Sequence, residues 1–216
     1  MRDDFFELTM TQTAAPFDAI CDDPAAIVGQ VWSLLENVPA QAAAAWRLPV
    51  LGTTGAAGCE LRTLVLRAFD AAKRRLICHT DVRSPKIASI QHDPAGAWLF
   101  YDPVLRVQLR VAGPLELHSE GALADQRWAE LSLENRRAWL APEAPGAMQS
   151  GPFVNLPPDL RERPPTWEES EAGRRNFCVL TGRIDRLDWY YLRAAGHLRL
   201  QVTWTNDVPR YEWLAS

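Results

Sequence analysis

Apolar and polar positions alternate most regularly in the middle of the chain. Between residues 105 and 111, Arg106, Gln108 and Arg110 alternate with Val107, Leu109 and Val111. A period of two gives a strand one polar and one apolar face. The same pattern predicts strands over residues 61–69, 74–80 and 97–101, with a short helix over 84–91 between the second and third. Asp93-Pro94-Ala95-Gly96 closes that helix, and Tyr101-Asp102-Pro103 is a turn between the last two strands. Two arginines and a glutamine on one strand face are too polar for a buried layer. They form a solvated face or one that meets a ligand.

The pattern extends outwards from this centre. Residues 1–22 lack a strong period and are expected to be partly ordered at best. Asp23-Pro24 opens a helix in which Ile27, Val28, Val31, Trp32, Leu35 and Val38 form an apolar stripe. Pro39 ends it, and residues 42–46 continue as a second short helix. A strand over 48–53 pairs with 61–69 through a turn at 55–58. Beyond Gly113-Pro114, residues 115–118 carry the sheet further. Residues 122–133 form a helix with Trp128 and Leu131 inward, and 136–140 another. Pro142, Pro145, Pro152, Pro157, Pro158, Pro164 and Pro165 forbid regular structure over most of 142–167. A strand over 177–191, broken at Gly182, a returning strand over 197–204 and a closing strand over 211–215 complete the chain. On the returning strand His197, Arg199, Gln201 and Thr203 share one face. The expectation is a single domain over 1–216, mainly β with flanking helices, with the Pro-rich loop inside it.

Composition narrows the function classes. The 216 residues suffice for one sizeable core. A net charge of −4 argues against nucleic acid as a partner. No apolar run reaches membrane-spanning length, and Arg2, Asp3, Asp4 and Glu7 do not make a signal peptide. Cys21, Cys59, Cys78 and Cys178 have no paired spacing, and the four histidines are dispersed. A cytoplasmic protein with reduced thiols and no metal site is expected. Nine tryptophans are assigned to core and interface.

Candidate chemistry concentrates at the central helix start. Ser84 is a suitable N-cap and Pro85 suits the first helical position. Helix starts favour anions, yet Arg83 and Lys86 bracket this one. A bound phosphate makes both cations favourable; long basic side chains swinging into water are the plainer reading. Arg62 and Arg67 are five residues apart and face opposite sides of a regular strand, so they meet one ligand only across a twist or bulge. Surface pairs with Glu60 and Asp70 are the alternatives for them.

Arg-Thr-Leu-Val-Leu-Arg over 62–67, His79-Thr80, Ser84-Pro85-Lys86, and Gln108 ahead of Gly113 together resemble the flavin-binding core of the pyridoxamine 5'-phosphate oxidase family. The resemblance implies an FMN-binding split β-barrel that works as a homodimer. It implies cofactor contacts from Arg62, Thr63, Leu64, Val65, Arg67, His79, Thr80, Ser84, Lys86 and Gln108. Gln149 and Ser150 of the Pro-rich loop, and Trp189 and Arg199, ten residues apart, are implied to reach the flavin as well. Arg67 and His197 are the implied substrate contacts. The implied function is that of an FMN-dependent oxidoreductase acting on a small molecule, with a nicotinamide as a possible electron donor. A non-catalytic FMN store or sensor, and a split-barrel binder of haem or another ligand, are the alternatives.

The sequence departs from the family where the oxidase holds its substrate phosphate. Trp128, Ser132 and Glu134 stand where a tyrosine, an arginine and a serine are expected, and Ala195 stands in an arginine position. A slip of that alignment gives the phosphate to Arg136 or Arg137 instead. The expectation is a chain that is not an efficient pyridoxamine 5'-phosphate oxidase; turnover at micromolar substrate under air would contradict it.

Overall fold

The computed structural model of the chain describes residues 16–41, 43–55 and 58–216. Most of the segment expected to be poorly ordered, and the centre of the turn at 55–58, lie outside the described residues. Helix α1, Pro24–Asn37, starts as its sequence dictates: the Asp23 carboxylate accepts from the N–H groups of Ala25 and Ala26, both at 3.0 Å, and Pro24 is the first helical residue. Its stripe of Ile27, Val28, Val31 and Leu35 is buried. Each such side chain contributes about 1.5–3 kcal/mol when fully buried. Pro39 lies in a single 3-10 turn that follows the helix, Val38–Ala40, and another turn, Ala45–Arg47, stands where a second helix is expected.

Ten strands follow. They are β1 Val50–Gly55, β2 Gly58–Thr63, β3 Leu66–Asp70, β4 Arg75–Asp81, β5 Ala95–Asp102, β6 Val107–His118, β7 Phe177–Arg183, β8 Arg186–Tyr191, β9 Leu198–Thr205 and β10 Val208–Leu214. Helix α2, Lys86–His92, sits between β4 and β5. Three short helices, α3 Ala122–Ala129, α4 Leu133–Arg136 and α5 Trp167–Glu171, lie between β6 and β7. The Pro-rich span between α4 and α5 holds one further 3-10 turn, Pro158–Leu160.

Every pairing is antiparallel. One path runs β10-β9-β8-β6-β5-β1-β2, and a branch runs β6-β7-β4-β3. Strand β6 belongs to both. Its first part, Val107 to Ala112, pairs with β8; its last part, Leu115 to His118, pairs with β7. The sheet does not close on itself, which is the split barrel. The main core fills its interior under α1, with Leu51, Leu66, Leu109, Leu180 and Trp189 fully buried. A second cluster of Ile77, Ala124, Trp128, Leu131, Phe177 and Val179 packs α3 on the far side of β4 and β7.

Two expected strands are each two strands. Residues 61–69 break at Leu64-Val65, where the Leu64 N–H bonds the Pro49 carbonyl at 3.1 Å and the chain leaves β1 for β4. Leu64-Val65-Leu66 is an unbroken apolar run that also suits the interior of one strand, so the pattern alone does not place the break. Residues 177–191 break at Ile184-Asp185 and not at Gly182. Gly182 lies within β7, paired with Leu76, and is glycine where a Cβ would lie 2.9 Å from Trp98 Nε1.

The split depends on a close backbone approach at Gly113. A Cβ there would lie 2.1 Å from the Arg183 carbonyl oxygen and 3.1 Å from the Asp185 nitrogen. Gly113→Ala is expected to destabilise the fold by about 1–3 kcal/mol, the scale of core overpacking. Urea unfolding measures it, and a midpoint equal to wild type would contradict the constraint.

Candidate functional site

Four of the residues singled out in the sequence come together beside α2. Lys86 Nζ donates to Thr80 Oγ1 at 3.0 Å and to Ser84 Oγ at 2.6 Å, and both hydroxyls are buried. Burial, then the nearby Arg62 guanidinium, lowers the Lys86 pKa. Arg62 donates to Glu60 at 2.8 Å and to the buried Thr53 hydroxyl. The surface pair with Glu60 therefore forms, and the Arg62 charge still acts on Lys86. Two cations and two buried hydroxyls thus lie near the start of α2, an arrangement suited to an anion.

The helix start differs from expectation. Helix α2 begins at Lys86, and Pro85, already in helical geometry at φ −51° and ψ −33°, is its cap residue. The first turn then closes on the Ser84 carbonyl, which accepts from Ile87 N–H at 2.9 Å. Ser84 makes no side-chain cap and keeps its hydroxyl for Lys86. Arg83 turns away from this site. It grips Asp81, at 2.6 Å from Nη2, and donates to the carbonyls of Ala141 and Pro142.

Thr63, Leu64 and Val65 form the crossing from β2 to β3. Arg67 follows at a bulge: Leu66 pairs with Cys78 and Ala68 with Ile77, leaving Arg67 unpaired between them. A bulge was the condition for two arginines five apart to reach one ligand, and one occurs at Arg67. Asp70 does not pair with Arg67; it takes Lys73 instead. Arg67 Nε is buried without a hydrogen-bond partner among the described residues, as are both ring nitrogens of His79. Burial lowers the Arg67 pKa, with the Arg47 charge adding to it.

A second set lies on the outer face of the β5-β6-β8-β9 sheet. Register places Tyr101 against Gln108, Gln108 against Tyr190, and Tyr190 against Arg199. Trp189, the expected partner of Arg199, points the other way. It is fully buried against Phe17, ring centroids 5.4 Å apart. Strand parity explains the correction: the β8–β9 register pairs Trp189 with Leu200, so Tyr190 is the aromatic beside Arg199. The hairpin register, more than the spacing of ten, was the signal for Tyr190. Arg199 and Arg110 both bind Asp188, at 2.8 and 2.6 Å. Arg110, Asp188 and Arg199 line a groove of about 680 Å³ that runs across β6, β5 and β1 to Leu61.

Other expected contacts stay apart. Gln149 and Ser150 are exposed. Their loop does pass α2, since a Cβ at Gly146 would lie 3.7 Å from Pro85 Cγ. His197 is exposed in the β8–β9 turn, where its Nδ1 accepts from the Arg193 N–H at 3.2 Å. Arg136 is buried between the rings of Trp128 and Trp167, at 4.5 and 4.8 Å, and donates to Ser170, Glu171 and the Trp128 carbonyl. Arg137 faces Glu134 and the Leu160 carbonyl. Both arginines that a slipped alignment would offer to a substrate phosphate are thus bound to protein groups.

His79 gives the site a pH dependence. Burial, then the charges of Arg67 and Arg127, lowers its pKa to about 3. The unfolded chain takes up this proton near the ordinary value of about 6.5. Between those values the unfolded state binds more protons, so stability present above pH ~6.5 is lost as pH falls. The expected loss approaches about 1.4 kcal/mol per pH unit within that window. Urea midpoints across the window should fall less steeply in His79→Phe; identical slopes would contradict this assignment.

Comparison with known proteins agrees with the architecture. Residues 33–119 match the family model described as pyridoxamine 5'-phosphate oxidase, FMN-binding domain. A pyridoxamine 5'-phosphate oxidase-related, FMN-binding protein of Nostoc punctiforme superposes with a TM-score of 0.66 at 24% identity, covering 94% of this chain and 99% of that one. PhzG of Burkholderia lata, solved with tetrahydrophenazine-1-carboxylic acid, superposes at 0.63 with 15% identity, covering 91% of this chain and 96% of that one. No curated protein matches the sequence. In sequence over residues 33–119, and in fold over most of its length, the chain resembles the FMN-binding split-barrel family of pyridoxamine 5'-phosphate oxidase.

Proposed function

We propose that the protein binds FMN noncovalently and uses it as a flavin-dependent oxidoreductase of a small molecule. The observation that carries this is the meeting of Arg62, Lys86, Thr80 and Ser84. Burial and the Arg62 charge disfavour the charged form of Lys86, even with Arg62 paired to Glu60, and a phosphate dianion would favour it. Arg62 and Lys86 supply charge, and Thr80 and Ser84 supply hydroxyl donors. The residues fit the phosphate of FMN. Bound flavin would supply the electron chemistry, leaving the protein to bind, orient and tune it. Gln108 and Arg199 offer donors to the ring. Arg199 stabilises negative charge there without exchanging protons near neutral pH.

Lys86→Ala is expected to weaken FMN binding by about 1–3 kcal/mol, the scale of a charge-assisted hydrogen bond, and Arg62→Ala to add to it. Fluorescence titration with FMN measures both. Unchanged affinity in the double variant would remove the proposal.

A homodimer follows from the placement of the two sets. Arg62 projects from the face of β2 opposite Leu61, whereas Gln108, Tyr190 and Arg199 lie on the face to which Leu61 belongs. One flavin touches both sets only if a second copy contributes one of them. Leu61, Leu99 and Tyr101, exposed on that outer face, supply apolar surface for such an interface. Light scattering of the FMN-loaded protein should give twice the chain mass. A monomer that holds FMN would contradict the dimer.

A further inference from the structure

The outer face of β6, β8 and β9 carries an ion group that neither the family motif nor the fold requires. Asp188 sits on β8, between Arg110 on β6 and Arg199 on β9. It is directly across from Arg110 and diagonal to Arg199. Its Oδ1 accepts from Arg199 Nε at 3.1 Å; its Oδ2 accepts from Arg199 Nη2 at 2.8 Å and Arg110 Nη2 at 2.6 Å. The Asp188 side chain is 10% exposed, and the arginines on either side are 47% and 30% exposed, Arg110 the more so. One nearly buried carboxylate is thus shared by two guanidiniums that both face the groove. Nη1 of Arg199, and Nε and Nη1 of Arg110, donate to no protein atom among the described residues.

In the folded chain the charge of Arg199 is half matched and its direction is fixed. A two-point grip on Nε and Nη2 holds the guanidinium in one plane and aims Nη1 away from the carboxylate. Arg110 competes for the same carboxylate oxygen. The group therefore carries one net positive charge, and Asp188 determines both its size and its position.

We propose that Asp188 is a positioning residue for the flavin site, which pins Arg199 towards the flavin ring and, through Arg110, sets the charge that the ring experiences. This rests on the FMN reading above. Reduced flavin carries more negative charge than oxidised flavin, so a patch with more net positive charge favours the reduced form. Removing the Asp188 carboxylate leaves two unmatched guanidiniums and raises the reduction potential. Removing Arg110 gives Asp188 wholly to Arg199 and lowers it.

The test is the potential of bound FMN, measured against reference dyes in wild type, Asp188→Asn and Arg110→Gln. Asp188→Asn should favour reduced over oxidised FMN by about tenfold, which is about +30 mV for a two-electron couple. Arg110→Gln should shift the potential the other way. A purely structural ion group would lower the unfolding midpoint and weaken both redox forms alike, leaving the potential in place; that result overturns the inference. If Asp188→Asn does not fold, Arg110→Gln, altered at a half-exposed side chain, decides alone: a lower potential supports the inference and an unchanged one overturns it. The wild-type measurement comes first. A wild-type chain that takes up no FMN contradicts the FMN reading itself, which separates the two failures.

Discussion

Strand β6 cannot serve two sheets unless its backbone passes within contact distance of the β7–β8 joint. Gly113 permits that approach, and Pro114 follows where the strand changes partners. On one side of this point β6 is held by β5 and β8; on the other it is held by β7. The Asp185 N–H bonds the Ala112 carbonyl at 3.0 Å, and the Ile184 N–H bonds the Arg74 carbonyl at 2.8 Å, locking the joint to both β6 and the β4 side. Everything functional follows from the resulting divergence. The cluster of Arg62, Thr80, Ser84 and Lys86 lies beside the start of α2, and the Gln108–Tyr190–Arg199 row lies on the sheet that β6 shares with β8.

Much of this was legible in the sequence, because alternation and capping are local. The helix after Asp23-Pro24, the β1–β2 hairpin, the strand with Gln108 and Arg110, and the Pro-rich span all follow from neighbouring residues; Arg106, expected on that strand, lies instead in the turn before it, at φ 55°. What was not legible depends on long-range partners. The break at Leu64-Val65 is made by a bond to Pro49, and the break after Arg183 by bonds to Arg74 and Ala112. The apolar run Leu64-Val65-Leu66 does not by itself distinguish a break from a strand interior, and nothing in the pattern marks the break after Arg183. Helix α5 hides within the Pro-rich region; its Thr166–Glu169 capping box was a readable signal that the density of prolines outweighed.

The candidate site divides in the same way. Arg62, Thr80, Ser84 and Lys86 could be grouped because a strand, a turn and a short helix place them, although the strand over 61–69 proved to be two and α2 starts at Lys86 without a Ser84 cap. Trp189 was misplaced because spacing along a chain does not state strand parity; a hairpin register shifted by one residue exchanges the two faces. Arg83 was left between a phosphate and water; neither reading foresaw Asp81, which belongs to the preceding strand and closes a tight turn. Asp188 carried no signal at all, since its meaning depends on Arg110, 78 residues away.

The central claim is that the cluster beside α2 holds the phosphate of a flavin. The most direct measurement is the visible absorption spectrum of the purified protein, followed by release of its chromophore with denaturant and chromatography against authentic FMN. The account predicts the two-band spectrum of an oxidised flavin and a released compound that co-migrates with FMN. A protein that stays colourless after incubation with FMN, or that shows a haem spectrum, would contradict it.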